Sequence, residues 1–534
     1  MHRFVNGSIL CGDGSLADAL VVDDGRVVAI GPDAHDDRGR RLTEVDLGGG
    51  LLLPGFRDGH AHPLWGGIDL RRCPLDRCRS VNEIVTAVGA YAAARPELSW
   101  IQAGPYDPSV LPDGRADAAW LDAVVPDRPV KLSAADYHTA WVNSRALQLA
   151  GIDSDVADPP LGQIVRRADG SPSGMLVEWG AIELVDRLIP EPDADERAAG
   201  LDAAMQHFVR NGLVWAQDAA VSIDDARTYR AAAERDQLPV RINLAWRAEP
   251  DAWRTQLADY GVARRDLEAD RSCEGRLTAR TVKFFADGVI EQGTGFVLEP
   301  YEVEPHDCGL PNWKPDELAE AVASAASQGY QIHIHAIGDG GVRMALDAIE
   351  HAARVNGAFP ERPVIAHTQL VDPADRQRFA SLGVIANFEP LWARLDPVNR
   401  DLTIPRLGPR RASLQYPIAT LARQGAPISF GSDWPVSSVS PLEGLSVAVT
   451  RQMPDGTPAD GWLPDERVAI GAAVRAYTAG SAYQAFDDAR GTIEVGQRAD
   501  FCLAGSDITA IAGLEVAEVE VIGTWVDGVE VWRA

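Results

Sequence analysis

Short apolar runs separated by turn signals open the chain, as in ADALVVDDGRVVAIG (residues 17–31), where Asp24-Gly25 sits between two Val/Ile-rich stretches. Such a pattern predicts a β-hairpin. The last forty residues have the same habit in ADFCLAG and VEVIGTWVDGVEVW, with Asp527-Gly528 at the turn. The two ends are expected to share one sheet.

Between them apolar strands alternate with helical patterns, the rhythm of βα units around a parallel sheet. Eight strands are predicted, at 51–60, 213–219, 240–246, 281–288, 331–338, 363–369, 383–389 and 427–433. Eight predicts a closed (β/α)8 TIM barrel, an α/β fold. Connectors agree with it: Ser222 and Asp225 form a capping-box pattern, and the helical stretch from Asp316 stops at Gly329.

The rhythm breaks between about residue 68 and about residue 205, in a stretch with its own strands (SWIQAGPYD, VKLSAADYH) and helices. This is too long for a loop. An insertion leaving the C-terminal end of barrel strand 1 would stand over the mouth, where barrels carry their sites. The expected organisation is therefore a β part over 1–53, a barrel over 54–484 that includes the insertion as a lid, and a second β part over 485–534.

The formal charge of -28 on 534 residues argues against nucleic acid and anionic membrane as partners, because both require a basic surface. A small neutral or cationic substrate fits better, and a homodimer is compatible with the sequence. No stretch reaches the roughly 20 apolar residues of a spanning helix, and Met1 to Leu10 has no secretory pattern. Six cysteines without a CxxC pair point away from disulfide or zinc-ribbon scaffolds, so the expected compartment is the cytoplasm.

Strand ends carry the chemistry. His60 and His62 close the first strand as GHAH, and residues two apart in a strand point to one face, so both imidazoles aim at one spot. Lys283, His367 and Asp433 fall at the ends of the fourth, sixth and eighth strands, and the fifth offers His333 or His335, two apart on one face. Strand ends of a barrel converge, which makes the set a candidate metal centre. His351, on an amphipathic stretch, reads as a surface residue. A carboxylate straight after an apolar run, as at Asp433, is costly unless it binds a cation or a proton.

Lys283 is informative because the other basic residues are almost all arginine: of 50, only Lys131, Lys283 and Lys314 are lysines. In TVKFFADG its ammonium would be buried at high cost. Pairing with Asp287 or Glu291 is one remedy. Carboxylation by CO2 is another, since the carbamate is an anion able to bridge two cations, and a guanidinium cannot be converted this way.

Taken together, LLLPGFRDGHAH, LDAVVPDRPVKLSAADYHTAWVNSRAL, TVKFFADG, HAIGD, RPVIAHTQ, FGSDWPV and GTIEVGQRADF resemble the amidohydrolase superfamily, in the branch that includes N-substituted formamide deformylases. The resemblance spans nearly the whole chain. It implies that the termini form one β-sandwich beside the barrel, that His60 and His62 bind one metal ion, and that carboxylated Lys283 bridges to a second held by His335 and His367. Asp433 would contact the first ion and the nucleophile as the catalytic base. Zinc, iron and manganese all suit such N/O ligands.

The implied reaction is hydrolysis of an amide-type C–N bond. Ester, lactone or phosphotriester hydrolysis uses the same ligands, and some relatives have lost their metals and serve as assembly partners. A one-metal ring deaminase would carry HxxE on the fifth strand, whereas Gly338 stands there. For substrate contacts the candidates are Trp65, Trp392 and Trp434 near the mouth, Tyr106, His138 and Glu178 from the insertion together with Asp136, and Asp287. Relatives tend to have Gln-Pro and a histidine after the seventh strand; here NFEPLW places Glu389 and Trp392, which suggests a polar or cationic substrate group.

Overall fold

The computed structural model describes residues 1–36, 42–358 and 361–534. Eight parallel strands form the central sheet: β1 (Phe56–Ala61), β2 (Leu213–Val221), β3 (Arg241–Arg247), β4 (Leu277–Phe285), β5 (Gln331–Ala336), β6 (Val364–His367), β7 (Ile385–Phe388) and β8 (Ile428–Phe430). They are ordered sequentially from β1 to β8, each parallel to the next.

The sheet curls until its two edges meet. The seam between β8 and β1 is held by Asp433 N donating to His60 O (2.7 Å) and His62 N to Trp434 O (2.8 Å). Asp58 adds to it, accepting from Ser432 N at 3.0 Å and from Ser432 Oγ. Gly431 is required here, because a Cβ would stand 2.7 Å from His60 N. The expected TIM barrel is the observed architecture. Its floor is a hydrogen-bonded polar layer: Asn243 Nδ2 donates to Thr281 Oγ1, Thr281 Oγ1 to Gln331 Oε1, and Gln484 Nε2 to Gly59 O. Buried polar groups are tolerated when paired in this way.

The first predicted strand, 51–60, is in fact two. Leu51–Pro54 joins a six-stranded sheet with Ser8–Leu10, Leu16–Ala17, Phe501–Ala504, Val521–Val526 and Val529–Arg533, and only after Gly55 does the chain enter the barrel. Pro54 lacks an amide hydrogen to continue a ladder. This sheet, built from both termini, packs on a four-stranded one (His2–Val5, Leu20–Asp23, Arg26–Ile30, Thr43–Asp46) through Phe4, Leu52, Phe501 and Trp525. The result is a β-sandwich. Arg241 at the start of β3 ties it to the barrel by pairing with Asp500 (2.7 Å) and Asp527.

After β1 and the helix Pro63–Asp69, the insertion folds around its own five-stranded sheet, ordered 163–166, 172–177, 139–142, 130–134 and 101–106, with its own apolar cores. The helix Ala194–Arg210, started by a capping box at Asp193 and Glu196, then returns the chain to β2. Ser222 and Asp225 cap the helix Ile223–Glu234 as its pattern predicts. Among the described residues no helix is long and apolar enough to cross a membrane.

Candidate metal centre

Strand register places the histidines. Across the β4–β5 ladder Lys283 is level with His333 and Phe285 with His335, and in the next ladder Ala336 is level with His367. His333 and His335 both point into the barrel, His333 one layer deeper. There it meets His60, whose Nδ1 is 2.9 Å from His333 Nε2, and Gln217 engages the other nitrogen of His333. His335 lies at the mouth with its ring centroid 4.5 Å from that of His367, which is in turn 4.7 Å from that of His60.

His60, His62 and Asp433 bring ligand atoms within 4.8 Å of one another and are all buried. Asp433 Oδ1 is 3.1 Å from His62 Nε2 and 3.4 Å from His60 Nε2, yet it receives no hydrogen bond of good geometry. A buried carboxylate oxygen beside two ring nitrogens is the donor arrangement a divalent cation satisfies. Burial raises the Asp433 pKa, but the neighbouring His62, His367 and Lys283 outweigh it and hold the group below its ordinary value. Burial, followed by the charge of Lys283, keeps His60 unprotonated well below the usual histidine range, and burial lowers His62 and His335 as well. Neutral imidazoles and an ionised carboxylate are the forms that ligate metal.

Lys283 Nζ is fully buried, 3.3 Å from His60 Nε2 and 4.6 Å from the centre of the Phe285 ring. Among the described residues no carboxylate forms an ion pair with it. Asp287, one of the two partners suggested for it, instead accepts from Phe296 N (2.9 Å), Ile337 N (3.0 Å) and Gly338 N (2.8 Å). Burial brings the Lys283 ammonium down to about 7 against the pull of Asp433 and Glu389. An unprotonated amine is the form that adds CO2.

Two of the predicted ligand positions have left-handed backbones, His367 with φ 71° and Asp433 with φ 53°. Such strain in non-glycine residues persists where surrounding contacts over-determine it, commonly at functional sites.

The centre opens into a cavity of about 940 Å³ lined by Trp65, Tyr137, His138, Trp179, Arg247 and Trp392 among others. Tyr137, His138 and Trp179 come from the insertion. Trp392 stacks on His367 with ring centroids 5.2 Å apart and planes 6° from parallel, and Trp65 packs on Tyr137.

Several expected contact residues lie behind the cavity wall. Tyr106 is fully buried against Trp141 in the insertion core. Trp434 packs on Phe208 and His207 beside Gly66, where a Cβ would be 2.5 Å from its ring. Asp287 is occupied by its three amides. Glu389, expected to face a cationic substrate group, is buried with Oε2 2.8 Å from His367 Nδ1. Glu178 is likewise buried and supports His138, with Oε2 2.8 Å from Nδ1. His351 is a half-exposed helix residue bonded to Arg354.

Sequence reasoning missed Asp218 and Asp58. Asp218 Oδ1 is 3.8 Å from His62 Nδ1 and its other oxygen accepts from Tyr229 Oη at 2.6 Å; burial raises its pKa to about 8. Its signal was the polar Gln-Asp pair that interrupts the apolar β2 run. Asp58 accepts from His60 N at 3.1 Å, and its signal was its place two before His60 on the same face.

An (β/α)8 barrel with a His/His/Asp cluster at its mouth and a terminal β-sandwich defines a class, and comparison with known proteins gives it a family. The chain belongs to the amidohydrolase family, whose model matches residues 43–532. It is 30% identical to the protein LONG AFTER FAR-RED 3 of Arabidopsis thaliana, over 99% of this chain and 91% of that protein. It is 26% identical to the N-substituted formamide deformylase of Arthrobacter pascens, over 96% of this chain and 95% of that enzyme. Among solved structures, an uncharacterized metal-dependent hydrolase from Pyrococcus horikoshii OT3 has the same fold, with a TM-score of 0.75 at 22% identity, covering 96% of this chain and 99% of that one.

Proposed function

We propose that this protein is a metal-dependent hydrolase of carbon–nitrogen bonds of the amide type, with N-substituted formamides as the first substrate class to test. The observation that carries it is the convergence of His60, His62 and Asp433 on one buried spot, with Asp433 Oδ1 left without a hydrogen bond. His60, His62 and Asp433 would hold one ion and His335 and His367 a second, with the carboxylated Lys283 amine between them. Bound zinc, iron or manganese would supply a Lewis acid for the carbonyl and bring the pKa of water towards neutrality.

The chain's own groups do the rest. Asp433, kept ionised, takes the proton of the attacking water on a carboxylate oxygen and returns it to the departing nitrogen, giving an acid and an amine. Glu389 fixes His367, and Asp58, bonded to the His60 amide, anchors the end of β1. Trp65 and Trp392 offer flat apolar walls to the substituent on nitrogen, and the insertion limits access of bulk water.

The test is turnover of a panel of N-substituted formamides, other amides, a lactone and a phosphotriester by metal-loaded and chelator-treated protein. Amide hydrolysis that disappears with the metal is expected. Turnover of the lactone or phosphotriester alone would replace the C–N reading, and amide turnover by metal-free protein would overturn the metal reading.

A further inference from the structure

At the end of the ring row farthest from Asp433 stands a residue that no metal role accounts for. The rings run His62, His60, His367, His335 and His138, with successive centroids 5.5, 4.7, 4.5 and 5.6 Å apart. The first four belong to the barrel; His138 is brought in by the insertion. Its Nδ1 donates to Glu178 Oε2 at 2.8 Å in a buried ion pair, and a carboxylate so placed favours the imidazolium, so that Nε2 also carries a hydrogen and is left for the cavity that His138 lines.

Glu178 is held with unusual effort. Its backbone has φ 65° and ψ 160°, a region that essentially only glycine occupies. Its amide donates to His138 O at 2.8 Å, and its second carboxylate oxygen accepts from Thr294 Oγ1, a barrel residue. Thr294 Oγ1 also accepts from Val289 N at 2.9 Å. A glycine would relieve the backbone but could not hold the imidazole. The side chain is therefore what this position requires, and it clamps the insertion to the loop after β4.

We propose that His138 is a catalytic residue that donates its Nε2 hydrogen to the substrate carbonyl oxygen as that oxygen gains negative charge, with Glu178 and Thr294 as positioning residues. The proposal rests on the hydrolytic reading above. No bond is made or broken at His138: the ring keeps its proton while the hydrogen bond strengthens. A carbonyl lying over the row would have the proton acceptor, Asp433, at one end and a charged donor at the other, an arrangement that favours the tetrahedral state over the planar one.

Metal-loaded wild type, His138→Gln, Glu178→Gln and Thr294→Val are compared in hydrolysis of 4-nitroformanilide and in calorimetric binding of methylphosphonate, an inert mimic of the tetrahedral oxyanion. Loss of one such donor lowers turnover about 10²- to 10³-fold. His138→Gln is expected to show that loss in kcat with little change in KM, a weaker methylphosphonate affinity and unchanged metal content. The Glu178 and Thr294 variants should fall between it and wild type in both readouts, and they carry the test if His138→Gln does not fold. Wild-type kcat and methylphosphonate affinity in metal-loaded variants would overturn the proposal. A wild type that leaves 4-nitroformanilide intact yet binds methylphosphonate through His138 would sink the amide reading and keep this one.

Discussion

His367 Nδ1 lies 2.8 Å from Oε2 of Glu389, and both side chains are 1% exposed. The carboxylate fixes the ring and its tautomer, so that Nε2 is left for the centre. Replacing such a supporting carboxylate usually costs about 10- to 100-fold in metal affinity. Glu389→Gln is expected to weaken retention of one metal equivalent in that range, read by equilibrium dialysis, with substrate preference unchanged. A switch of preference towards uncharged substrates with intact metal affinity would instead make Glu389 a substrate contact.

Lys283 gives the second prediction. Lys283→Arg keeps a positive charge but cannot form a carbamate, and Lys283→Ala leaves room for a small carboxylate beside His60. Both variants should lose the paired metal content and most turnover, and added acetate should restore part of the activity of the alanine variant only. Full metal content and activity in Lys283→Arg would exclude the bridging carbamate.

A third concerns Asp287, which serves the amides of Phe296, Ile337 and Gly338. Each buried donor left unsatisfied costs about 1–3 kcal/mol. Asp287→Ala should therefore lower the melting temperature and speed amide exchange at those three positions, two of which, Ile337 and Gly338, closely follow His335. Unchanged exchange there would mean that the carboxylate is dispensable to the loop.

The fourth tests the tie between sandwich and barrel. Asp500 is 5% exposed, and Arg241 and Arg490 pair with it at 2.7 and 2.8 Å. Removing one partner of a buried ionic group costs about 3–5 kcal/mol. Asp500→Ala should melt at a markedly lower temperature while the metal content of the folded protein stays the same; a melting temperature within error of wild type would show that the apolar interface alone holds the two parts together.

Much of this architecture was legible in the sequence because its signals are local. Val/Ile-rich runs between helical patterns mark strands, and His60 and His62 show their shared face by their spacing. What lay beyond local pattern was depth. Alternation puts His333 and His335 on one face but cannot say that one sits a layer deeper against His60. Trp434 and Tyr106 carry polar handles that suggest a site, yet each fills a core whose far side is supplied by distant segments. Glu389 lies beside the site in sequence, and only the fold shows that His367 stands between it and the cavity. Pro54 hid the hand-over from sandwich to barrel within one continuous apolar run.

Whether the strand ends of this barrel hold divalent cations beneath the insertion is decided by anomalous diffraction at the zinc, iron and manganese edges from crystals of the metal-loaded protein. One anomalous peak is expected among His60, His62 and Asp433 and a second beside His335 and His367, with continuous density from Lys283 Nζ reaching both. Crystals of active protein with no anomalous peak at these residues, or with metal only elsewhere, would contradict that placement.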